Sequence, residues 1–330
     1  MLAQISTQTG PINGGHILNP NIMNSKTGHA EPLVSICIPT YNRHEKLARA
    51  VQSLAVGRYK NLEIIISDNA STDETQRVCS SMCASDSRVK YFRHAENQGP
   101  TKNYEFVRAQ ASGKYFLWHG DDDYLDSDYI ETCVGELERD QSLVLSSGIA
   151  LYHSRDKRLT RYGNVIQPDS DFPLFRVVKY LWLVGDNSIF YGVYRVARIR
   201  DCRLPNCFAG DYAWIADVLL RGKAKVVPAV HIHRDFDEDS TSFSIARMVS
   251  VIGAPPWNAR FPWVAICKNV AGYLIFQSNE YKGKSLARKI CSYLTVYGVL
   301  SARGLIQNMQ ILGAKIPFAR KIYREYFKKP

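Results

Sequence analysis

Three consecutive carboxylates, Asp121, Asp122 and Asp123, follow the apolar aromatic run Tyr115–Trp118 with only His119 and Gly120 between. Adjacent aspartates at a strand end set like charges against one another, which is unfavourable unless a cation neutralises them. Aspartate oxygens suit hard divalent ions such as Mg or Mn, and these ions commonly share their coordination with a diphosphate. The triplet therefore reads as a metal–diphosphate site rather than a solvated acidic turn. Two further groups sit in similar places. Asp68 follows the apolar run Leu62–Ile66, and Pro39-Thr40-Tyr41 follows Leu33–Ile38.

The elements that must position these residues alternate. Leu33–Ile38, Leu62–Ile66, Val89–Phe92 and Tyr115–Trp118 read as short buried strands. Helical stretches separate them: one with Leu47, Val51 and Leu54 on a face, one opened by a capping box at Ser71-Thr-Asp-Glu74, and one over residues 101–111. Such alternation predicts an α/β fold with a mostly parallel central sheet and helices on both faces. Ligands then bind beyond the carboxyl ends of the strands, so the three groups should line one cleft. Further strands are expected at Ser142–Leu151, Asn187–Tyr194 and Val226–Ile232, with a loop around Pro168–Pro173. A helix over residues 211–221 buries Trp214, Ile215, Val218 and Leu219 and stops at Gly222.

Composition adds a second theme. Residues 261–330 hold 12 Lys or Arg against Glu280 and Glu325, so nearly all of the +11 net charge lies in the last fifth of the chain. That segment is expected to seek an anionic surface. Its most apolar stretch, Ile290–Ala302, has 13 residues and is too short to span a bilayer. With Lys282, Lys284, Arg288 and Lys289 before it and a basic end from Arg320 to Lys329, it reads as an interfacial helix. Residues 1–31 read as a mobile tail, 32–245 as the sheet domain, and 246–330 as a basic amphipathic helical extension, a candidate membrane-surface anchor. Eight scattered cysteines without a C-x-x-C pair, and no signal segment, predict reduced thiols in a cytoplasmic protein, peripheral on the membrane face.

Four motifs occur in order: Val34-Ser-Ile-Cys-Ile-Pro-Thr-Tyr-Asn-Arg43, Ile65-Ile-Ser-Asp-Asn-Ala-Ser-Thr-Asp-Glu74, Gly120-Asp-Asp-Asp-Tyr-Leu125 and Gly210-Asp-Tyr-Ala-Trp214. Together they closely resemble family-two glycosyltransferases of the GT-A fold, over residues 33–245. The resemblance implies a hexosyltransferase-like enzyme that uses a nucleotide-diphosphate sugar, commonly a UDP-sugar, and a divalent metal (Mn or Mg), inverting the anomeric centre by direct displacement. Pro39, Thr40 and Tyr41 would cradle the nucleoside, and Asp68 would accept a hydrogen bond from uracil or ribose. The family often has a second aspartate where this chain has Asn69. Asn97–Asn103 resembles a loop over the donor, with Lys102 offsetting diphosphate charge and Asn103 bonding sugar or ribose. Two of Asp121, Asp122 and Asp123 would approach the metal and one the ribose or sugar, in either of two registers. Asp211 would be the base that deprotonates the acceptor hydroxyl, with helix capping as the competing role. Gly210 replaces the acidic residue that often precedes it.

The resemblance also implies His233, with Arg234 beside it, as a candidate metal or phosphate ligand, and alternation puts His231 and His233 on one face. Asp73 is assigned to helix capping, Asp235–Asp239 to a loop near the acceptor cleft, and Trp182 and Trp214 to the core, leaving Tyr212 to stack on a sugar. Expected partners are the donor, a lipid-linked or growing glycan acceptor, and an anionic membrane; no nucleic acid is expected. A non-catalytic nucleic-acid or anionic-polymer binder driven by the basic end is the competing class. A sugar nucleotidylyltransferase ranks lower, because Pro39–Arg43 lacks the glycines such an enzyme places after its first strand.

Overall fold

A computed structural model describes residues 31–154, 156–235 and 245–315. The proposed tail, the acidic run beyond Asp235 and the basic end at 320–329 lie outside the described residues. The chain begins with β1 (Val34–Thr40), α1 (His44–Ala55), β2 (Leu62–Asp68), α2 (Thr75–Ser85), β3 (Val89–Arg93), α3 (Pro100–Ala109) and β4 (Tyr115–Trp118). After the triplet come β5 (Tyr124–Leu125), α4 (Tyr129–Arg139), β6 (Leu143–His153), β7 (Leu159–Tyr162), α5 (Pro173–Leu183) and β8 (Val193–Arg195). The remainder is α6 (Val196–Ile199), α7 (Gly210–Arg221), β9 (Lys223–Asp235), α8 (Ile245–Val251), α9 (Trp257–Arg260), α10 (Pro262–Phe276) and α11 (Leu286–Lys315).

The strands form one sheet in the order β3-β2-β1-β4-β8-β6-β9-β5, with β7 hairpinned onto β6. The first four are parallel, as the strand–helix alternation requires. Beyond β4 the sheet is mixed: β8, β7 and β5 join antiparallel, while β6 and β9 run parallel. "Mostly parallel" thus describes the first half. Side chains alternate between two covered faces. Ile36 and Ile38 of β1, Ile64 of β2 and Tyr115 and Leu117 of β4 pack with α1 and α4. Cys37, Ile65, Phe116 and Trp118 face the other way, toward α3, α5 and α7. Between the strands' opposite ends Glu63 accepts bonds from Ser35, Lys90 and Ser112. Burial opposes its charge, but those donors prevail and hold its pKa down to about 2.

Several elements differ from expectation. The run 187–194 is not one strand: a 3₁₀ turn, Ser188–Tyr191, precedes β8. Asp186 Oδ1 accepts the Ser188 N–H and starts that turn. Residues following Pro173 form α5, whose Pro occupies the first helical turn, where no N–H is needed. The capping box at Ser71 does not form; Ser71 Oγ instead accepts the Asn42 N–H, and α2 is opened by Asp73 receiving the Thr75 N–H. The C-terminal helices are not an appendage. Cys267, Val270, Ala271 and Leu274 of α10 and Val296 and Leu300 of α11 belong to the same core as α5 and α7. Among the described residues no helix is long and apolar enough to cross a membrane.

Candidate active site

Register brings the site together. Thr40 pairs with Asp68 across the ends of β1 and β2, and the His119 N–H bonds the Cys37 carbonyl, so the triplet emerges beside both. Asp121 and Asp123 are buried, and Asp122 is half-buried. An added Cβ at Gly120 would lie 2.5 Å from Asp123 Oδ2, so a larger residue there would displace that carboxylate. Thr40 Oγ1 donates to Asp121 Oδ2 at 2.8 Å. Arg43 Nη1 reaches both Asp121 Oδ1 (3.0 Å) and Asp122 Oδ2 (2.9 Å), and Lys46 Nζ lies 3.5 Å from the latter. On the far side Arg234 Nε donates to Asp123 Oδ1 at 3.2 Å. Burial raises the pKa of Asp121 against the pull of Arg43, and pushes Asp123 up to about 6 despite Arg234. His119 beneath them is fully buried, which holds its pKa down to about 4 and keeps it neutral.

One oxygen of the triplet is open to a cation. Asp123 Oδ2 is buried with no hydrogen-bond partner among the described residues. The Arg43 guanidinium meanwhile bridges two of the carboxylates as their counter-ion. Among the described residues no three His, Cys, Asp or Glu side chains form a ready-made metal cage. An ion shared with a diphosphate needs only one or two protein carboxylates.

On the β1–β2 side, Pro39 is buried and Tyr41 is exposed at the strand end. Asp68 is buried, accepting from the Ser71 N–H (2.8 Å) and the Tyr91 hydroxyl (2.7 Å). Asn69 uses both ends of its amide: Oδ1 accepts the Gln98 N–H, and Nδ2 donates to Asn97 Oδ1 and the Gly99 carbonyl. A carboxylate could not make the last two bonds, so Asn69 is suited to hold the 97–99 loop. Asn103 has a different task from the one expected. Its amide binds Ser67 Oγ and the carbonyls of Ser67 and Thr40, tying two strand ends together while buried at 3% exposure. Lys102 is exposed on the first turn of α3.

Asp211 is half-buried in the first turn of α7. An added Cβ at Gly210 would lie 2.3 Å from the Pro205 carbonyl oxygen, which accounts for glycine at this position. Asn187 Nδ2 donates to Asp211 Oδ2 at 2.9 Å. Burial raises the Asp211 pKa, opposed by Asn187, by N–H groups of the helix start and by Arg234, so the carboxylate is a stronger base than a solvated one. Three non-glycine residues with left-handed backbone, Asn42, Ala70 and Ala209, flank these loops. Strain of this kind concentrates at functional sites.

His233 does not turn to the triplet. Its Nε2 meets Asp126 Oδ1 at 2.8 Å, its Nδ1 meets His153, and its ring stacks on Tyr124. His231 shares the same carboxylate through Asp126 Oδ2. Both imidazoles therefore lie on one face, and Arg234, one residue on, faces the other, where Asp123 is. Asp235 pairs with Lys157. Trp214 is fully buried against Trp118, as expected, whereas Trp182 is 44% exposed because it projects from the outer side of α5. Tyr212 is half-buried. Sequence reasoning passed over Arg43, although a cation closing the first motif was in view. It also passed over Asn187, which carries no local signal.

Residues 35–200 match the profile of glycosyl transferase family 2. The chain is similar to the GalNAc(5)-diNAcBac-PP-undecaprenol beta-1,3-glucosyltransferase of Campylobacter jejuni, 27% identical over 222 residues, covering 66% of this chain and 69% of that one. Its fold is similar to Staphylococcus aureus TarS 1-349 in complex with UDP-GlcNAc (TM-score 0.50, 16% identity, 83% of this chain and 81% of that one). It is also similar to the mannosyltransferase PcManGT from Pyrobaculum calidifontis in complex with GDP-Man and Mn2+ (TM-score 0.50, 15% identity, 91% and 89%). With the family model matching half of its length and its fold shared with these enzymes, the chain belongs to glycosyl transferase family 2 and is a glycosyltransferase.

Proposed function

We propose that this glycosyltransferase moves a sugar from a UDP-sugar to a hydroxyl of a lipid-linked glycan, with inversion. The observation that carries the reading is the buried, unpartnered Asp123 Oδ2 within the triplet, taken with an aspartate of raised basicity, Asp211, held by Asn187. Asp122 and Asp123 would hold a divalent ion, and Asp121, fixed by Thr40, would face the donor's ribose or sugar. The ion, when bound, would neutralise the diphosphate and stabilise charge on the departing nucleotide. Asp211 takes the proton as the acceptor oxygen attacks the anomeric carbon. The bond from that carbon to the diphosphate breaks, and UDP leaves with the electron pair. The glucosyltransferase relative, whose name carries a PP-undecaprenol substrate, supports the acceptor class. TarS with UDP-GlcNAc supports the donor class, and PcManGT with Mn2+ supports the ion. A panel of UDP-, GDP- and dTDP-sugars tested for thermal stabilisation with manganese should single out one UDP-sugar, with the shift lost in EDTA. No shift with any donor would remove the reading.

We also propose that the enzyme works on the cytoplasmic membrane face. At the start of α11, Leu286, Ile290 and Leu294 are exposed at four-residue spacing beside Lys282, Lys284 and Arg288, a pairing suited to an anionic interface. Truncation would remove core residues, so substitution is the sound test. Replacing Lys282, Lys284, Arg288 and Lys289 with Gln should lower flotation with phosphatidylglycerol vesicles at least about tenfold. Equal flotation of both proteins would exclude this surface.

A further inference from the structure

Among the described residues, the one side-chain hydrogen bond to the Asp211 carboxylate comes from a residue held at several points, and the trail leads to the C-terminal helix. Asn187 presents Nδ2 to Asp211 at 2.9 Å while its Oδ1 accepts the Tyr180 hydroxyl at 2.6 Å. Tyr180 is fully buried on α5. That helix ends at the carbonyls of Leu181 and Val184, both of which accept from the Arg303 guanidinium of α11, the first at 2.8 Å. Arg303 is 9% exposed and lies over the Trp263 ring of α10. A cation on the last carbonyls of a helix satisfies groups that have no partner within it. The segment between α5 and Asn187 is pinned as well: Asn164 Oδ1 accepts the N–H groups of Gly185 and Asp186, and the Tyr152 hydroxyl donates to Asp186 Oδ1.

We infer that Arg303, Tyr180 and Asn187 form a positioning chain through which the C-terminal helix holds the Asp211 carboxylate in its catalytic orientation. This rests on the reading of Asp211 as the base. Asn187 is the positioning residue, Tyr180 orients its amide, and Arg303 fixes the end of the helix that carries Tyr180. The basic extension thereby acquires a role in the active site separate from any membrane contact.

The chain makes a signed prediction. A general base works deprotonated, and the Asn187 N–H stabilises that form, so removing it raises the base's pKa and moves the acidic limb of kcat to higher pH. The other groups facing Asp211 do not mask this. Tyr180, Tyr194, Tyr212 and Cys207 are held neutral by burial, which raises the pKa of each. Arg234 stays charged throughout. In the full-length enzyme, Asn187→Ala should lower kcat roughly ten- to a hundredfold with the donor KM little changed, and shift the acidic limb up by about half a unit or more. Tyr180→Phe should do the same to a smaller degree, and Arg303→Lys should retain more activity than Arg303→Met. Matching thermal midpoints and UDP affinities would identify the folded variants. If Asn187→Ala keeps the wild-type limb, or loses kcat and donor affinity in parallel, the chain is only scaffolding. If Asp211→Asn itself turns over normally, the underlying base assignment fails instead.

Discussion

Asp211→Asn should lower kcat by roughly 10²–10⁴-fold, the usual contribution of a general base, while affinity for the donor stays within about threefold. Asparagine is isosteric and keeps an oxygen to accept the Asn187 N–H, so the backbone of α7 has no reason to move. What is lost is the proton acceptor. Asp211 is not tied to the triplet directly, and donor binding is therefore expected to survive. Activity with a saturating acceptor, set beside calorimetric donor affinity, reads both halves of this expectation. Near-normal turnover would assign Asp211 to holding its helix.

The site was legible where chemistry coincided with a strand end. Thr40, Asp68 and Asp121–Asp123 each follow a short buried run, and parallel register alone brings such ends together. Residues that act through distant partners were not legible. Asn187 immediately precedes a 3₁₀ turn in a run that was read as strand, and its value comes from Tyr180 and Asp211, one on each side in sequence and neither adjacent. Asn103 was assigned to the ligand by resemblance, yet its amide closes the gap between β1 and β2. Alternation correctly set His231 and His233 on one face, but the occupant of that face, Asp126, was invisible without the β5–β9 pairing.

The C-terminal region shows the limit of charge counting. Its basic excess suggested a separable anchor, whereas the apolar run of α10 decides the packing: Val270, Ala271 and Leu274 are fully buried. Burying such side chains contributes roughly 1.5–3 kcal/mol each for the larger ones. Charge on the outer surface and apolar contact on the inner one coexist in the same helices. The net charge reports only the first.

The second large effect concerns the triplet. Asp123→Asn should weaken manganese-dependent binding of UDP by roughly a hundredfold, because it removes the carboxylate whose Oδ2 is buried without a partner and leaves Arg234 without its anion. Binding measured in EDTA should change far less, since the residues proposed to meet the nucleoside, Pro39, Thr40, Tyr41 and Asp68, are left in place by the substitution. Calorimetric titration of the wild-type enzyme and Asp123→Asn with UDP, in manganese and in EDTA, is the most direct test. The wild type should bind roughly a hundredfold more tightly with the metal, and the variant should lose that gain. Equal UDP affinity for the wild type with and without manganese would contradict the assignment of the triplet.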